Sequence, residues 1–130
     1  MRVGTQTGSY AVGKLAKGKY DMSSHIVPLR RNSTHKNHSV REASAWALWH
    51  LSRYKHEIGL AVPKLVQLLT IDEEWGQARK NAAGALLHHS RKSSENARKV
   101  AQHLSSATLD LEHRFIKRLF NEMAEITGKE

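Results

Sequence analysis

Trp46, His50 and Arg53 fall at i, i+4 and i+7 of a stretch with helical periodicity, which puts an indole, an imidazole and a guanidinium on one face. Trp49 lies beside that face. Thirty-eight residues later, Lys80, Gly84, His88 and Arg91 take the positions of Glu42, Trp46, His50 and Arg53. Side chains of these types serve recognition. Indoles offer flat apolar contact, imidazoles can donate and accept hydrogen bonds, and guanidinium and ammonium groups hold carboxylates or phosphates. Trp46, Trp49, His50, Arg53, Lys80, Gly84, His88 and Arg91 together form the candidate partner groove. The same positions would also suit an ordinary wet helix face, and that reading stays open here.

Other clusters do not add up to chemistry. His88 and His89 resemble a dyad, but neighbouring helical positions diverge by about 100° around the axis, so the rings face apart. His35 and His38 lie in a polar stretch with no further ligand at zinc spacing, and cysteine is absent. Asp72, Glu73 and Glu74 read as helix-start charge. There is no P-loop, dinucleotide turn, nucleophile elbow or HExxH pattern. The expectation is a non-enzyme with no catalytic residue, metal site or cofactor.

Two similar stretches must position the groove. Val40–Ser52 (VREASAWALWHLS) and Ala78–Ser90 (ARKNAAGALLHHS) match at a fixed offset of 38 residues. Arg41 pairs with Arg79, Ala45 with Ala83, Ala47 with Ala85, Leu48 with Leu86, His50 with His88 and Ser52 with Ser90. Each stretch follows a Val-Pro pair, Val27-Pro28 or Val62-Pro63, and proline suits the first turn of a helix. Similarity at such a period marks a helical solenoid.

The AVPKLVQLL run followed by ARKNAAGALLHHS, together with VREASAWALWHLS, resembles the armadillo repeat family over roughly residues 26–104. HEAT repeats are a poorer match. The resemblance implies an all-α fold: a short right-handed armadillo-like α-solenoid of about two and a half repeats. It also implies a concave groove lined by the longer helices, which in the family binds extended peptides. The family's groove tryptophan matches Trp46, and its peptide-holding asparagine matches His50; in the second copy these positions are Gly84 and His88. This departs from the importin-α pattern, whose acidic walls take lysine-rich cargo. It is more similar to catenin-like and plant members that accept acidic or mixed peptides. Histidine at both asparagine positions makes a pH-sensitive groove an expectation.

Around this centre the chain divides into three. Residues 1–22 carry a glycine every four or five positions, with Arg2, Lys14, Lys17 and Lys19 as the only charges before Asp21, and read as a basic extended or disordered arm. An unstructured terminus and a mitochondrial presequence are the other readings of it. Residues 23–107 hold the repeats, with a start signal at Ser23 or Ser24, a compressed helix over Tyr54–Leu60 and another start at Ser93-Ser94-Glu95. Residues 108–130 hold one amphipathic helix through Leu111, Phe115, Ile116, Leu119, Phe120, Met123 and Ile126, expected to cap the stack.

The 130 residues hold 21 Lys and Arg against 12 Asp and Glu, a formal charge of +9, which favours an anionic partner. The first expectation is a protein-interaction or scaffold module within a hetero-complex, taking acidic or extended segments of a protein partner. The alternative is a basic RNA-contacting subunit of a ribonucleoprotein, with Trp46, Trp49 and Trp75 as stacking surfaces. No run is apolar enough to span a membrane and no secretory leader is visible. An intracellular, cytoplasmic setting is expected, with an organelle or cytoskeletal assembly as the other possibility.

Overall fold

The computed structural model describes residues 6–18, 20–71 and 76–128. Among them are seven α-helices, two short 3-10 turns and no strand, as the periodicity requires. The helices are α1 (Gln6–Lys17), α2 (Ile26–Asn32), α3 (His38–Arg53), α4 (Val62–Leu69), α5 (Gln77–Ser90), α6 (Ser94–Ser105) and α7 (Arg114–Thr127). α1 packs on α3, α3 on α5 and α5 on α7, so these four form a row. The shorter α2, α4 and α6 pack against α3, α5 and α7 and in turn on one another.

Local chemistry sets the boundaries. The Asn37 side chain accepts a hydrogen bond from Ser39 N at 2.8 Å and caps α3. Ser93 does the same for α6 through Asn96 N at 3.1 Å, and His113 Nδ1 for α7 through Phe115 N at 3.3 Å. Pro63 stands in the first turn of α4, where its missing N–H leaves no carbonyl unpaired. The matched arginines have one structural task. Arg41 donates to the carbonyls of His35 and Lys36, at 2.7 and 3.0 Å, and Arg79 donates to that of Ile71 at 3.0 Å. Both are nearly buried, so each repays its own burial by satisfying the carbonyls of the loop before its helix.

The core runs through the whole molecule. Leu48, Leu51, Leu65, Leu68, Leu69 and Leu86 are fully buried, and Ala43, Ala47, Ala78, Ala82 and Ala85 let the helices approach. Asn81 Nδ2 donates to the Glu42 carbonyl at 3.1 Å and ties α5 to α3. His56 Nδ1 donates to the Tyr54 carbonyl while Nε2 accepts from Met22 N at 2.9 Å, which fastens the chain before α2 to the loop after α3.

Several expectations need correction. The supposed arm is helical over Gln6–Lys17, and Val12, Ala16 and Met22 belong to the common core. Glycine opposes a helix in an isolated chain, but here Gly13 makes room for the Trp46 ring, and the burial outweighs the propensity. Lys14 and Lys17 are exposed on this helix; Arg2 and Lys19 lie outside the described residues, as do Asp72–Trp75. The Ser23–His25 segment is a 3-10 turn without a side-chain cap. Residues 54–58 form no helix: Lys55 sits at φ 70°, which ends α3, and a 3-10 turn (Gly59–Ala61) follows. The last helix begins only at Arg114, leaving Leu111 exposed before it.

Among the contacts between α3 and α5, one depends on a missing side chain. A Cβ added at Gly84 would lie 2.7 Å from Trp49 Cε2 and 2.9 Å from Cδ2 and Cζ2. Gly84→Ala would gain about 1 kcal/mol in helix propensity, but forcing the indole aside costs about 1–3 kcal/mol. The melting temperature of Gly84→Ala is therefore expected to fall, and the same substitution on a Trp49→Leu background is expected to raise it. A rise in both backgrounds would show that the glycine is not there for the ring.

Candidate functional site

The end of α3, the length of α5 and the first turns of α7 enclose a cleft of about 340 Å³. α3 contributes Trp49 and Arg53, α5 contributes Lys80, Ala83, Gly84, Leu87 and His88, and Arg91 follows as the C-cap of α5. α7 adds Phe115, Arg118 and Leu119. The buried or half-buried apolar groups make the floor, and the exposed Arg53, Lys80, Arg91 and Arg118 stand around it. No Asp or Glu lines the cleft among the described residues.

Six of the eight groove residues read from the sequence meet here: Trp49, Arg53, Lys80, Gly84, His88 and Arg91. Trp46 and His50 do not line it. The Trp46 ring meets Gly13 of α1 and takes the edge of Tyr10 at 5.0 Å and 68°. His50 stacks on Trp46 with centroids 3.8 Å apart, and its Nδ1 donates to the Trp46 carbonyl at 3.0 Å. The two are committed to the α1–α3 junction. The indole that faces the cleft is Trp49, three residues on.

Phe115, Arg118 and Leu119 were not recognised as site residues from sequence. The 38-residue match ends at Arg91, and the amphipathic stripe through Phe115 and Leu119 reads equally well as a cap. The one available signal was spacing: α7 follows α5 by nearly the interval that separates α5 from α3.

The charges are unevenly compensated. Glu122 of α7 accepts from Arg91 Nη2 at 3.3 Å and from Arg118 Nε at 3.1 Å. Arg53 lies over the Tyr54 ring at 5.8 Å, and no carboxylate is paired with Arg53 or Lys80 among the described residues. His88 Nδ1 shares a hydrogen bond with Ser52 Oγ at 3.1 Å. Burial, followed by Lys92, Arg53 and Arg91, pushes its imidazole below the ordinary histidine range.

The arrangement is suited to holding an anion beside an apolar group. No cluster of three or more His, Cys, Asp or Glu that could hold a metal occurs among the described residues. Nor is any described helix long and apolar enough to cross a membrane. Comparison with protein-family models, curated proteins and solved structures gave no match.

Histidine protonation couples to folding. Burial is the leading cause that depresses His50, His88, His89 and His113 in the folded chain. The unfolded chain therefore binds more protons just below the free-imidazole value of about 6.5. Stability is expected to be complete above that value and to decline as pH falls through it toward the lower folded values. Thermal melts between pH 7.5 and 5 check this. His89→Gln should flatten the decline, because His89 is nearly buried and its Nδ1 lies 3.4 Å from Glu57 without a hydrogen bond. A melting temperature independent of pH in this range would contradict the linkage.

Proposed function

We propose that this chain is a short, right-handed, armadillo-like α-solenoid and a non-catalytic protein-interaction module. Its cleft takes an acidic, extended segment of a protein partner within a hetero-complex. The units are the pairs α2–α3, α4–α5 and α6–α7, with α1 standing as the longer helix of an incomplete unit ahead of them. This extends the sequence-based count of two and a half, since the last helix joins α6 as α5 joins α4. Supporting the fold reading are the fixed 38-residue offset and the buried arginine that recurs at the same place in both copies.

One observation carries the functional reading: four permanent cations surround an apolar, indole-bearing floor, and the one described carboxylate paired with any of them is Glu122, shared by Arg91 and Arg118. An acidic peptide with apolar side chains satisfies both parts, whereas a basic segment would meet like charge. RNA is less well served, because Trp46 is packed under α1 and Trp49 is the remaining indole among the described residues. A cytoplasmic setting accompanies this proposal.

The test is anisotropy of a labelled acidic peptide and of a single-stranded RNA of equal charge, each titrated with salt. The peptide is expected to bind more tightly, and exposed Lys80→Glu to weaken it about tenfold, roughly 1.4 kcal/mol. Tighter RNA binding with a log–log slope equivalent to several phosphates would overturn the proposal in favour of the ribonucleoprotein alternative.

A second expected outcome concerns pH. His88 is held neutral by burial and neighbouring cations, so an anion in the cleft favours its protonation. Peptide affinity should rise as pH falls from 7.5 to 5.5, and His88→Asn should remove most of that rise. A profile unchanged in His88→Asn would exclude the imidazole.

A further inference from the structure

The acidic-segment reading leaves open how the cleft selects among acidic segments, and Glu122 bears on that. Two of the four permanent cations, Arg91 at the C-cap of α5 and Arg118 of α7, converge on its carboxylate. Each is bonded to it through a single nitrogen, and both arginines are more than half exposed while Glu122 is only 20% exposed. The acid thus lies inside a pair of guanidiniums that point to solvent. It has the same chemistry as the ligand expected from the rest of the cleft. At the other cations, Arg53 and Lys80, no described carboxylate plays this part.

We infer that Glu122 is the cleft's internal competitor, and that the ligand is an acidic segment bearing one bulky apolar side chain. The ligand's acids bind unopposed at Arg53 and Lys80, and at Arg91 and Arg118 they must displace Glu122. The apolar side chain lies on the floor of Trp49, Leu87 and Phe115. This rests on the acidic-segment reading and adds two elements to it. A ligand with charge alone gains less, because Glu122 already offsets one of the four positive charges and occupies two of the four cations. A ligand with an apolar anchor gains the floor as well, and contact of this kind supplies most of the affinity in small interfaces. Surface ion pairs such as those of Glu122 are individually weak, so exchanging them for a ligand carboxylate is nearly neutral in energy. The result is selection against purely polyanionic partners.

The experiment uses the full chain, its Glu122→Gln and Glu122→Ala variants, and a labelled nine-residue peptide with one phenylalanine flanked by aspartates. A second peptide replaces the phenylalanine with serine. Both variants are expected to bind the first peptide about three- to tenfold more tightly at low salt and with a steeper salt dependence. In the wild-type chain the serine peptide is expected to bind about tenfold more weakly. Thermal melts of both variants, followed by circular dichroism, establish that α7 remains folded. If the wild type binds the peptide but neither variant binds it more tightly, Glu122 positions the arginines and the competitor inference is overturned, with the acidic-segment reading intact. If the serine peptide binds as well as the phenylalanine peptide, the apolar anchor is overturned. If no chain binds either peptide, both the inference and the reading it rests on fail.

Discussion

The indole of Trp49 lies against the backbone of Gly84, and the cleft depends on that contact. With any side chain at position 84 the ring would have to move, because a Cβ there falls within 2.7 Å of it. α3 and α5 would then separate or the ring would swing into the space that the cleft now occupies. The same device operates on the other side of α3, where Trp46 takes the room left by Gly13 of α1. Two indoles three residues apart on one helix thus lock two neighbouring helices, each through a missing side chain. Each ring fills the room its glycine leaves, so apolar area is covered at both junctions.

This locking explains why the two copies of the motif end up with different roles. Trp46 and Gly84 occupy matched positions, yet one is the ring and the other the notch that receives a ring. The first copy has α1 packed on its indole, with its imidazole stacked on that same ring. The second copy has α7 beside it, set far enough away to leave a cleft of about 340 Å³. The notched glycine also keeps the floor of that cleft low. A tryptophan at position 84, as the match with Trp46 would suggest, would fill the cleft.

Much of this was legible in the sequence because it rests on local or periodic signals. The 38-residue offset located α3 and α5, the Val-Pro pairs located α2 and α4, and Ser93 located α6. Six cleft residues followed from the same register. What escaped depended on long-range contact. The glycines of α1 argue against a helix until the Trp46 ring is placed opposite Gly13. Arg41 and Arg79 stand out in the sequence only as a matched pair; their task shows once the loop carbonyls they hold are seen. Trp49 looked secondary to Trp46, since a face assignment does not say which neighbour will cover it. Phe115 and Arg118 could not be joined to the site, because nothing in a single chain's periodicity states whether a terminal helix closes a stack or continues it.

The histidines show how position changes the meaning of one residue type. His50 spends its Nδ1 proton on the Trp46 carbonyl and stacks on the ring, so it contributes to the α1–α3 junction. His89, on the far side of α5 from the cleft, is nearly buried and faces Glu57. His88 alone combines a cleft position and a hydroxyl partner at Ser52 with burial and nearby cations that push its imidazole below the ordinary histidine range. The Ser52 contact engages Nδ1, so Nε2 is the nitrogen left to meet a ligand. An asparagine at this place would offer a fixed amide regardless of conditions. The imidazole is a titratable group instead: burial first, then Lys92, Arg53 and Arg91, disfavours its charged form, and an anion set beside it would favour that form. The basic wall thus has two effects in one place: it suits an anion, and it disfavours a further positive charge on His88 while none is present.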